Sequence, residues 1–169
     1  MALRKSVSVS RLPFWDWQMR DVLILLALLA TTVALTLSMG TQLVDDAYIT
    51  LRYARNLSRG TGFVYNSGER VLGTTSPLYT LLLTTLARLG LGVSLVDLTR
   101  WISLVSYKMR CPMLYLGLAQ LTGLRALATA AAALYALSPL RLFIGLSGME
   151  TALTMALVTA AWMAYCARR

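Results

Sequence analysis

Asp45-Asp46-Ala47-Tyr48 is the stretch around which this sequence is organised, because it follows closely on an apolar run over residues 22–40. That run approaches the roughly 20 apolar residues needed to cross a bilayer. The two carboxylates are therefore expected where a membrane helix meets water. Ionised groups are costly inside hydrocarbon, so a pair at its edge predicts a functional site. Asp45 or Asp46 is equally suited to cap a helix that begins near Ala47.

The segment after the acidic pair is predicted to form a basic helix on a membrane surface. Tyr48, Arg52, Arg55 and Arg59 recur at the spacing that places residues on one face of a helix. An amphipathic helix with a basic flank lies in the plane of the membrane interface. The arginines suit either lipid headgroups or the phosphate of a bound substrate. The Gly-Thr-Gly run at residues 60–62 is predicted to end this helix.

A turn and a second short helix are predicted next. Residues 63–65 and 69–71 flank the turn signal Asn-Ser-Gly, which predicts a small hairpin. Ser76 and Pro77 suit the cap and the first position of a helix. The apolar run at 78–91 has about 14 residues, which is short for a span, so we interpret it as interfacial or re-entrant.

Composition indicates an all-α, polytopic membrane protein. Of the 169 residues, 57% are hydrophobic, against about 45–50% in soluble domains. The net charge of +9 favours membrane anchoring and anionic headgroups, and we expect no nucleic-acid partner. The sequence has no histidine, so carboxylates must carry any proton transfer. Cys111 and Cys166 lie in apolar segments and are predicted to be free thiols.

About four membrane spans are predicted, with one long outer loop at about residues 41–95. The basic residues 1–20 place the N-terminus in the cytoplasm of a multi-pass cell-membrane protein. The spans themselves are expected near residues 22–40, 96–118, 126–146 and 152–167. A cleaved signal peptide is the competing interpretation of the first span. The second span is interrupted by Lys108, Arg110 and Pro112.

Glu150 lies in the polar break between the last two predicted spans. In the four-span arrangement it shares the outer face with Asp45 and Asp46. If residues 78–91 formed a full span, Glu150 would lie inside and the terminal arginines outside. The positive-inside bias favours the first arrangement.

These motifs resemble the membrane glycosyltransferases of the GT-C type, and most closely the mycobacterial arabinofuranosyltransferase B type. The first resembling segment is an outer loop, and the second is a later outer motif. The residues that carry it are Asp45-Asp46-Ala47-Tyr48-Ile49, Arg52-Tyr53-Ala54-Arg55-Asn56-Leu57, Gly60-Thr61-Gly62-Phe63-Val64-Tyr65-Asn66, Gly68-Glu69-Arg70-Val71, Thr75-Ser76-Pro77-Leu78 and Ser147-Gly148-Met149-Glu150-Thr151-Ala152-Leu153. The resemblance covers roughly residues 20–167.

The resemblance implies transfer of a sugar, such as arabinofuranose, from a polyprenyl-phosphate donor to a cell-envelope glycan acceptor on the outer face. It implies that Asp45 or Asp46 is the base, and that a divalent cation is bound near these acids. It also implies that Arg52, Arg55 and Arg59 hold the donor phosphate, and Tyr48 and Glu150 are further candidate substrate-binding residues.

Such transferases are several times longer than this chain, which predicts that residues 21–169 form a truncated transmembrane module. Two other function classes remain open. One is a non-catalytic membrane or accessory protein derived from a truncated transferase. The other is a transporter fragment, for which carboxylates near mid-span are expected.

Overall fold

The computed structural model describes residues 18–39, 43–69 and 71–167, and this part of the chain is helical with no strand. The all-α prediction is therefore confirmed for the described residues. The basic N-terminus up to residue 17, Arg70 and the terminal pair Arg168-Arg169 lie outside them. In the described part the helices are α1 (Met19–Met39), α2 (Asp45–Ser58), α3 (Pro77–Arg88), α4 (Leu95–Thr122), α5 (Arg125–Leu137), α6 (Pro139–Leu146) and α7 (Thr151–Ala167).

One helix is long and apolar enough to cross a membrane. It is α1, and the count within the described residues rises to two if the bent pair α5 and α6 forms a single span. α7 is apolar but shorter. α4 is long enough, yet Lys108 and Arg110 lie near its centre. The structure thus supports one or two of the four predicted spans.

α1 is held in the bundle at its N-terminal end by a buried carboxylate. Asp21 is only 4% exposed, accepts a hydrogen bond from the hydroxyl of Tyr115 and lies 3.5 Å from Arg125 Nε. A buried charge needs such partners, because an unpaired ion is costly away from water. Asp21 therefore fixes the start of α1 against the end of α4 and the start of α5.

α4 connects two layers of the molecule. Its first turns pack through Leu95, Val96 and Ile102 against α2 and α3. Further along, Cys111 and Tyr115 pack with α1 and α5. The first turns of α4 therefore contact the helices of the predicted outer loop, and its later turns contact the apolar helices α1 and α5.

The predicted break at Ser138-Pro139 is present. Ser138 Oγ accepts a hydrogen bond from Arg141 N–H, and Pro139 is the first residue of α6. Proline has no amide hydrogen and clashes with the preceding turn, so α5 cannot continue through it. The axes of α5 and α6 differ by 60°.

α2 and α3 pack side by side in the same direction. Thr84 Oγ1 donates to Ala54 O over 3.4 Å, and Arg88 donates to Leu57 O over 2.7 Å. The sequence separations of these pairs are 30 and 31 residues. A nearly constant separation means that the helices run parallel. Their N-termini therefore lie at the same end.

The predicted hairpin is wrong, since residues 63–65 form no strand, nor do the described residues of 69–71. Side chains of α2 donate hydrogen bonds to the backbone carbonyl groups that a hairpin would use for strand pairing. Asn56 Nδ2 donates to Val64 O and Tyr65 O over 2.8 and 2.9 Å, and Tyr53 Oη donates to Val71 O over 2.6 Å. The connection from α2 to α3 is therefore an irregular loop that α2 holds in place.

Candidate functional site

The acidic pair lies against the turn between α6 and α7. Val44 N–H donates to Ser147 O over 3.1 Å, which joins the residues before α2 to this turn. The neighbouring Gly148 has a φ of +76°, and a Cβ there would collide with Leu43. Glycine is suited to both the left-handed backbone and the close approach. The two motifs of the predicted site are thus in direct contact.

Between these segments lies a cavity of about 160 Å³. Asp46 and Glu150 both line it, so the structure brings together two acids that are 104 positions apart in the chain. The remaining walls come from α2, the loop before α3, the start of α3 and the turn before α7. The other lining residues are Ala47, Ile49, Thr50, Gly73, Thr74, Thr75, Tyr79, Gly148 and Met149.

Three helices begin at this cavity. Asp46 is in the first turn of α2, Thr75 and Tyr79 flank the start of α3, and Glu150 directly precedes α7. The N-terminus of a helix carries a partial positive charge, which favours negative groups placed beside it. The two carboxylates therefore lie where the backbone stabilises their charge.

Asp45 and Asp46 occupy different environments. Both residues are exposed, but Asp46 lines the cavity and Asp45 does not. Consecutive helical residues point in different directions, which accounts for the difference. The prediction that one of them caps α2 is wrong. The cap position is Val44, no side chain caps the helix, and both acids are first-turn residues.

The predicted basic face is present, but it points away from the cavity. Tyr48, Arg52, Arg55 and Arg59 are all outside the cavity lining, and none of them is buried. Arg52 is held in the loop, where it donates to Tyr65 O over 3.0 Å and to Asn66 Oδ1 over 2.7 Å. Its guanidinium also covers the Tyr65 ring at 4.2 Å. In this structure Arg52 stabilises the loop.

Tyr79 and the threonine hydroxyls were not predicted from the sequence. The hydroxyls of Tyr79 and Thr99 share a hydrogen bond of 2.9 Å. Burial raises the pKa of Tyr79, and the nearby negative charge of Glu150 raises it further. Thr50 and Thr74 add two hydroxyls 3.4 Å apart to the wall. The Thr-Ser-Pro segment before α3 was the available signal, but only the parallel packing of α2 and α3 shows that it faces Asp46.

The polar groups that line the cavity are mainly the oxygen atoms of carboxylates and hydroxyls. No group of three or more acidic, histidine or cysteine residues is close enough to hold a metal ion within the described ranges. Two carboxylates and several hydroxyls do match the oxygen ligands of a hard cation that keeps some of its water. Asp46 and Glu150, and not the adjacent pair Asp45-Asp46, are the residues that such an ion would bind. The two cysteines are free thiols, as predicted.

Comparison with known proteins identifies relatives of the predicted kind. The chain is 34% identical over 122 residues to a terminal β-(1→2)-arabinofuranosyltransferase of Corynebacterium glutamicum. The chain is similar to part of an arabinofuranosyltransferase. A protein of the same name from Mycobacterium tuberculosis is 35% identical over 127 residues. The matches cover 70% and 71% of this chain, so the predicted resemblance is confirmed.

The matched segment is a small part of each relative. It covers 18% of the Corynebacterium protein and 20% of the Mycobacterium protein. The chain thus spans about a fifth of the length of the curated relatives that it matches. No family model matches the chain, and no solved structure matches it.

Proposed function

We propose that this chain forms the acidic site of a membrane glycosyltransferase that moves an arabinofuranosyl group from a polyprenyl-phosphate donor to a cell-envelope glycan. The relatives are named as terminal β-(1→2)-arabinofuranosyltransferases, which supports the sugar and the class of reaction. Since the chain spans only part of them, the proposal concerns the role of this module in such an enzyme.

The observation that carries the proposal is the cavity shared by Asp46 and Glu150. A sugar hydroxyl is a weak nucleophile, so a carboxylate within hydrogen-bond reach must take its proton. Asp46 is assigned as this base because it lines the cavity and Asp45 does not. Glu150, on the opposing turn, is assigned to orient the acceptor.

A divalent cation is proposed as an additional component of the site. Asp46 and Glu150 would hold it, with hydroxyl groups such as that of Thr50 completing the oxygen environment. When bound, the cation would offset negative charge on the departing phosphate.

The site is proposed to face the outer side of the cell membrane, with the N-terminus in the cytoplasm and a multi-pass topology. The contact between Val44 and Ser147 supports this arrangement, because it brings the residues after α1 and the end of α6 to the same end of the molecule. α3 has 12 residues and is about 18 Å long, shorter than the roughly 30 Å hydrocarbon core, so it is assigned to the interface. Arg55 and Arg59 on the outer face of α2 are assigned to anionic lipid headgroups or to the arriving donor.

The proposal is tested in the full-length Corynebacterium relative at the positions that align with these acids. Asp46→Asn is expected to reduce transfer by about 10²- to 10⁴-fold, the usual contribution of a general base. Glu150→Gln is expected to raise the KM for the acceptor. Asp45→Asn is the matched control, with the same chemical change one residue away, and should retain activity. Membrane insertion of each variant is checked by fractionation. Full activity of Asp46→Asn would overturn the assignment.

A non-catalytic accessory protein is the second candidate function. It is favoured by the charged centre of α4, where Lys108 and Arg110 accompany Pro112. Each central charge costs about 2.5–3.5 kcal/mol on insertion scales. Two expression experiments separate the candidates. Restored transfer when the chain is expressed alone in a strain that lacks the relative supports the enzyme. Improved activity of the relative when the chain is co-expressed with it supports the accessory protein.

A further inference from the structure

A buried tyrosine hydroxyl lies at the wall of the acidic cavity. Tyr79 is only 5% exposed and lines the cavity together with Gly148 and Glu150. Its hydroxyl shares a hydrogen bond of 2.9 Å with Thr99 Oγ1 of α4. Thr99 also borders the turn before α7, since its Cγ2 lies 3.1 Å from the position of a Cβ at Gly148. The phenolic end of Tyr79 is therefore beside the turn that carries Glu150.

The hydroxyl of Thr99 has a different partner from those of other helical threonines in this chain. Thr84, Thr129 and Thr159 each donate to the carbonyl oxygen four residues earlier, over 2.8, 2.9 and 2.7 Å. That is the common bond of a threonine inside a helix. Among the described residues Thr99 makes no such bond, and its hydrogen bond is to Tyr79. Since a hydroxyl has a single proton, we assign the proton of this bond to Thr99.

A second hydroxyl of α4 lies near the phenol. Ser103 is one turn after Thr99 and is only 1% exposed. Burial raises the pKa of Tyr79, and the hydroxyls of Thr99 and Ser103 lower it. The Oγ of Ser103 nevertheless forms no hydrogen bond of normal geometry with a described residue. Both hydroxyls therefore approach the phenolic oxygen from α4, which directs the proton of Tyr79 away from α4 and toward the cavity.

The proton of Tyr79 needs an acceptor, because a buried donor without a partner is costly. In the part of the chain that the structure describes, no hydrogen bond joins Tyr79 to Glu150. The charge of Glu150 is nevertheless close enough to raise the pKa of the phenol further. A phenol donor beside a carboxylate acceptor matches a hydroxyl group, which accepts from the first and donates to the second. An anionic group would be repelled by Glu150 and Asp46.

We propose that Tyr79 and Glu150 together bind one non-reacting hydroxyl of the acceptor sugar, and that Tyr79 thereby selects the acceptor. Tyr79 donates to this hydroxyl, and the hydroxyl donates to Glu150. Thr99 is a positioning residue, because it holds the phenolic oxygen without lining the cavity. A site of this kind rejects a sugar that lacks the hydroxyl, since its own polar groups are then left unpaired. This inference rests on the proposed function for the identity of the acceptor.

The inference is tested by NMR titration of the full chain, in nanodiscs of phosphatidylcholine, with methyl arabinofuranoside and its three monodeoxy analogues. One analogue is expected to bind the wild-type chain about 3- to 10-fold more weakly than the parent sugar, the usual effect of a neutral hydrogen bond. Tyr79→Phe should weaken binding of the parent sugar by a similar factor and should bind that analogue as well as the parent. The two losses are then not additive, because each removes the same hydrogen bond.

Tyr65→Phe is the matched control for the lost hydroxyl. Tyr65 does not line the cavity, so this variant should bind the sugar as the wild-type chain does. Thr99→Val should reduce the preference for the parent sugar over the analogue by about twofold or more, because the phenol is no longer held. Thr99→Ser keeps a hydroxyl at this position and should restore the preference. A residue that only stabilised the fold would not change this preference.

Circular dichroism shows whether each variant stays folded. If Tyr79→Phe does not fold, the comparison of Thr99→Val with Thr99→Ser decides the question. Additive losses in folded Tyr79→Phe would overturn the inference, as would equal binding of all the analogues by the wild-type chain or no binding of the parent sugar. Because the assay measures acceptor binding alone, its failure is independent of the result for Asp46→Asn.

Discussion

The backbone N–H of Val44 lies 3.1 Å from the carbonyl oxygen of Ser147, and this hydrogen bond joins the two halves of the acidic cavity. One half follows α1, and the other lies more than a hundred residues later. The bond places Asp46 and Glu150 on opposite walls of one space. Changes that separate these segments should therefore impair the site even when both acids are intact.

Gly148→Ala should separate the segments. Its φ of +76° and the collision of a Cβ with Leu43 impose two penalties. The left-handed backbone costs about 1–2 kcal/mol for a residue with a side chain, and overpacking adds about 1–3 kcal/mol. A thermal melt of the purified variant measures the sum. Gly90→Ala is the control, since Gly90 has a φ of +66° with no atom within 4 Å of its Cβ position. Equal loss in both variants would show that Gly148 is needed for its backbone conformation alone.

Asp21→Asn should destabilise the bundle strongly. The substitution removes the negative charge beside Arg125 and weakens the bond from Tyr115. Breaking a buried ion pair costs about 3–5 kcal/mol. The measurement is the midpoint of denaturant unfolding in detergent. Asp97→Asn removes a carboxylate from a partly exposed pair with Arg100, where about 1 kcal/mol or less is expected. A loss for Asp21→Asn no larger than that control would contradict the structural role of the pair.

Tyr53→Phe should loosen the connection between α2 and α3. The buried hydroxyl donates to Val71 O over 2.6 Å and accepts from Gly73 N–H over 2.7 Å. Leaving these groups without a partner costs about 1–3 kcal/mol. Faster hydrogen exchange at Gly73 measures the effect. Tyr65→Phe is the control, because the Tyr65 hydroxyl makes no hydrogen bond to a described residue. Slow exchange at Gly73 in the Tyr53 variant would be inconsistent with this contact.

Tyr79→Phe should change how stability depends on alkaline pH. Burial raises the pKa of Tyr79 above 10.0, so the unfolded chain loses the phenolic proton first as the pH rises. The stability that this tyrosine contributes is present below pH 10 and decreases as the pH rises through its higher folded-state pKa. The variant lacks this titration, so its melting temperature should fall less steeply between about pH 9 and about pH 11. Parallel curves for the two proteins would argue against a buried, neutral Tyr79.

The helices and their order could be predicted from the sequence, because apolar runs and Ser-Pro or Gly signals mark their positions. The start of α3 at Pro77, the end of α2 before Gly60 and the break before Pro139 all follow from local chemistry. The hairpin prediction failed because Asn56 and Tyr53 take the backbone carbonyls that strand pairing would use. That competition involves tertiary contacts, which no local pattern reveals.

The acids of the candidate site could be predicted, but their surroundings could not. The sequence leaves Asp45 and Asp46 equivalent, and only the orientation of α2 separates them. The contribution of Tyr79 and Thr74 depends on the parallel packing of α3 against α2. The arginines of α2 share the helix face that was predicted, yet that face is turned away from the cavity. The periodicity of the sequence identifies such a helix face but does not show which part of the protein or its surroundings that face contacts.

α4 has a further mechanical consequence. With 28 residues it is about 42 Å long, and its first turns pack against α2 and α3 while its later turns pack against α1 and α5. Pro112 has no amide hydrogen, so α4 lacks one backbone hydrogen bond near the boundary between the part that packs against α2 and α3 and the part that packs against α1 and α5. Motion of α2 and α3 relative to α1 and α5 would therefore be concentrated near Pro112, two residues from Arg110.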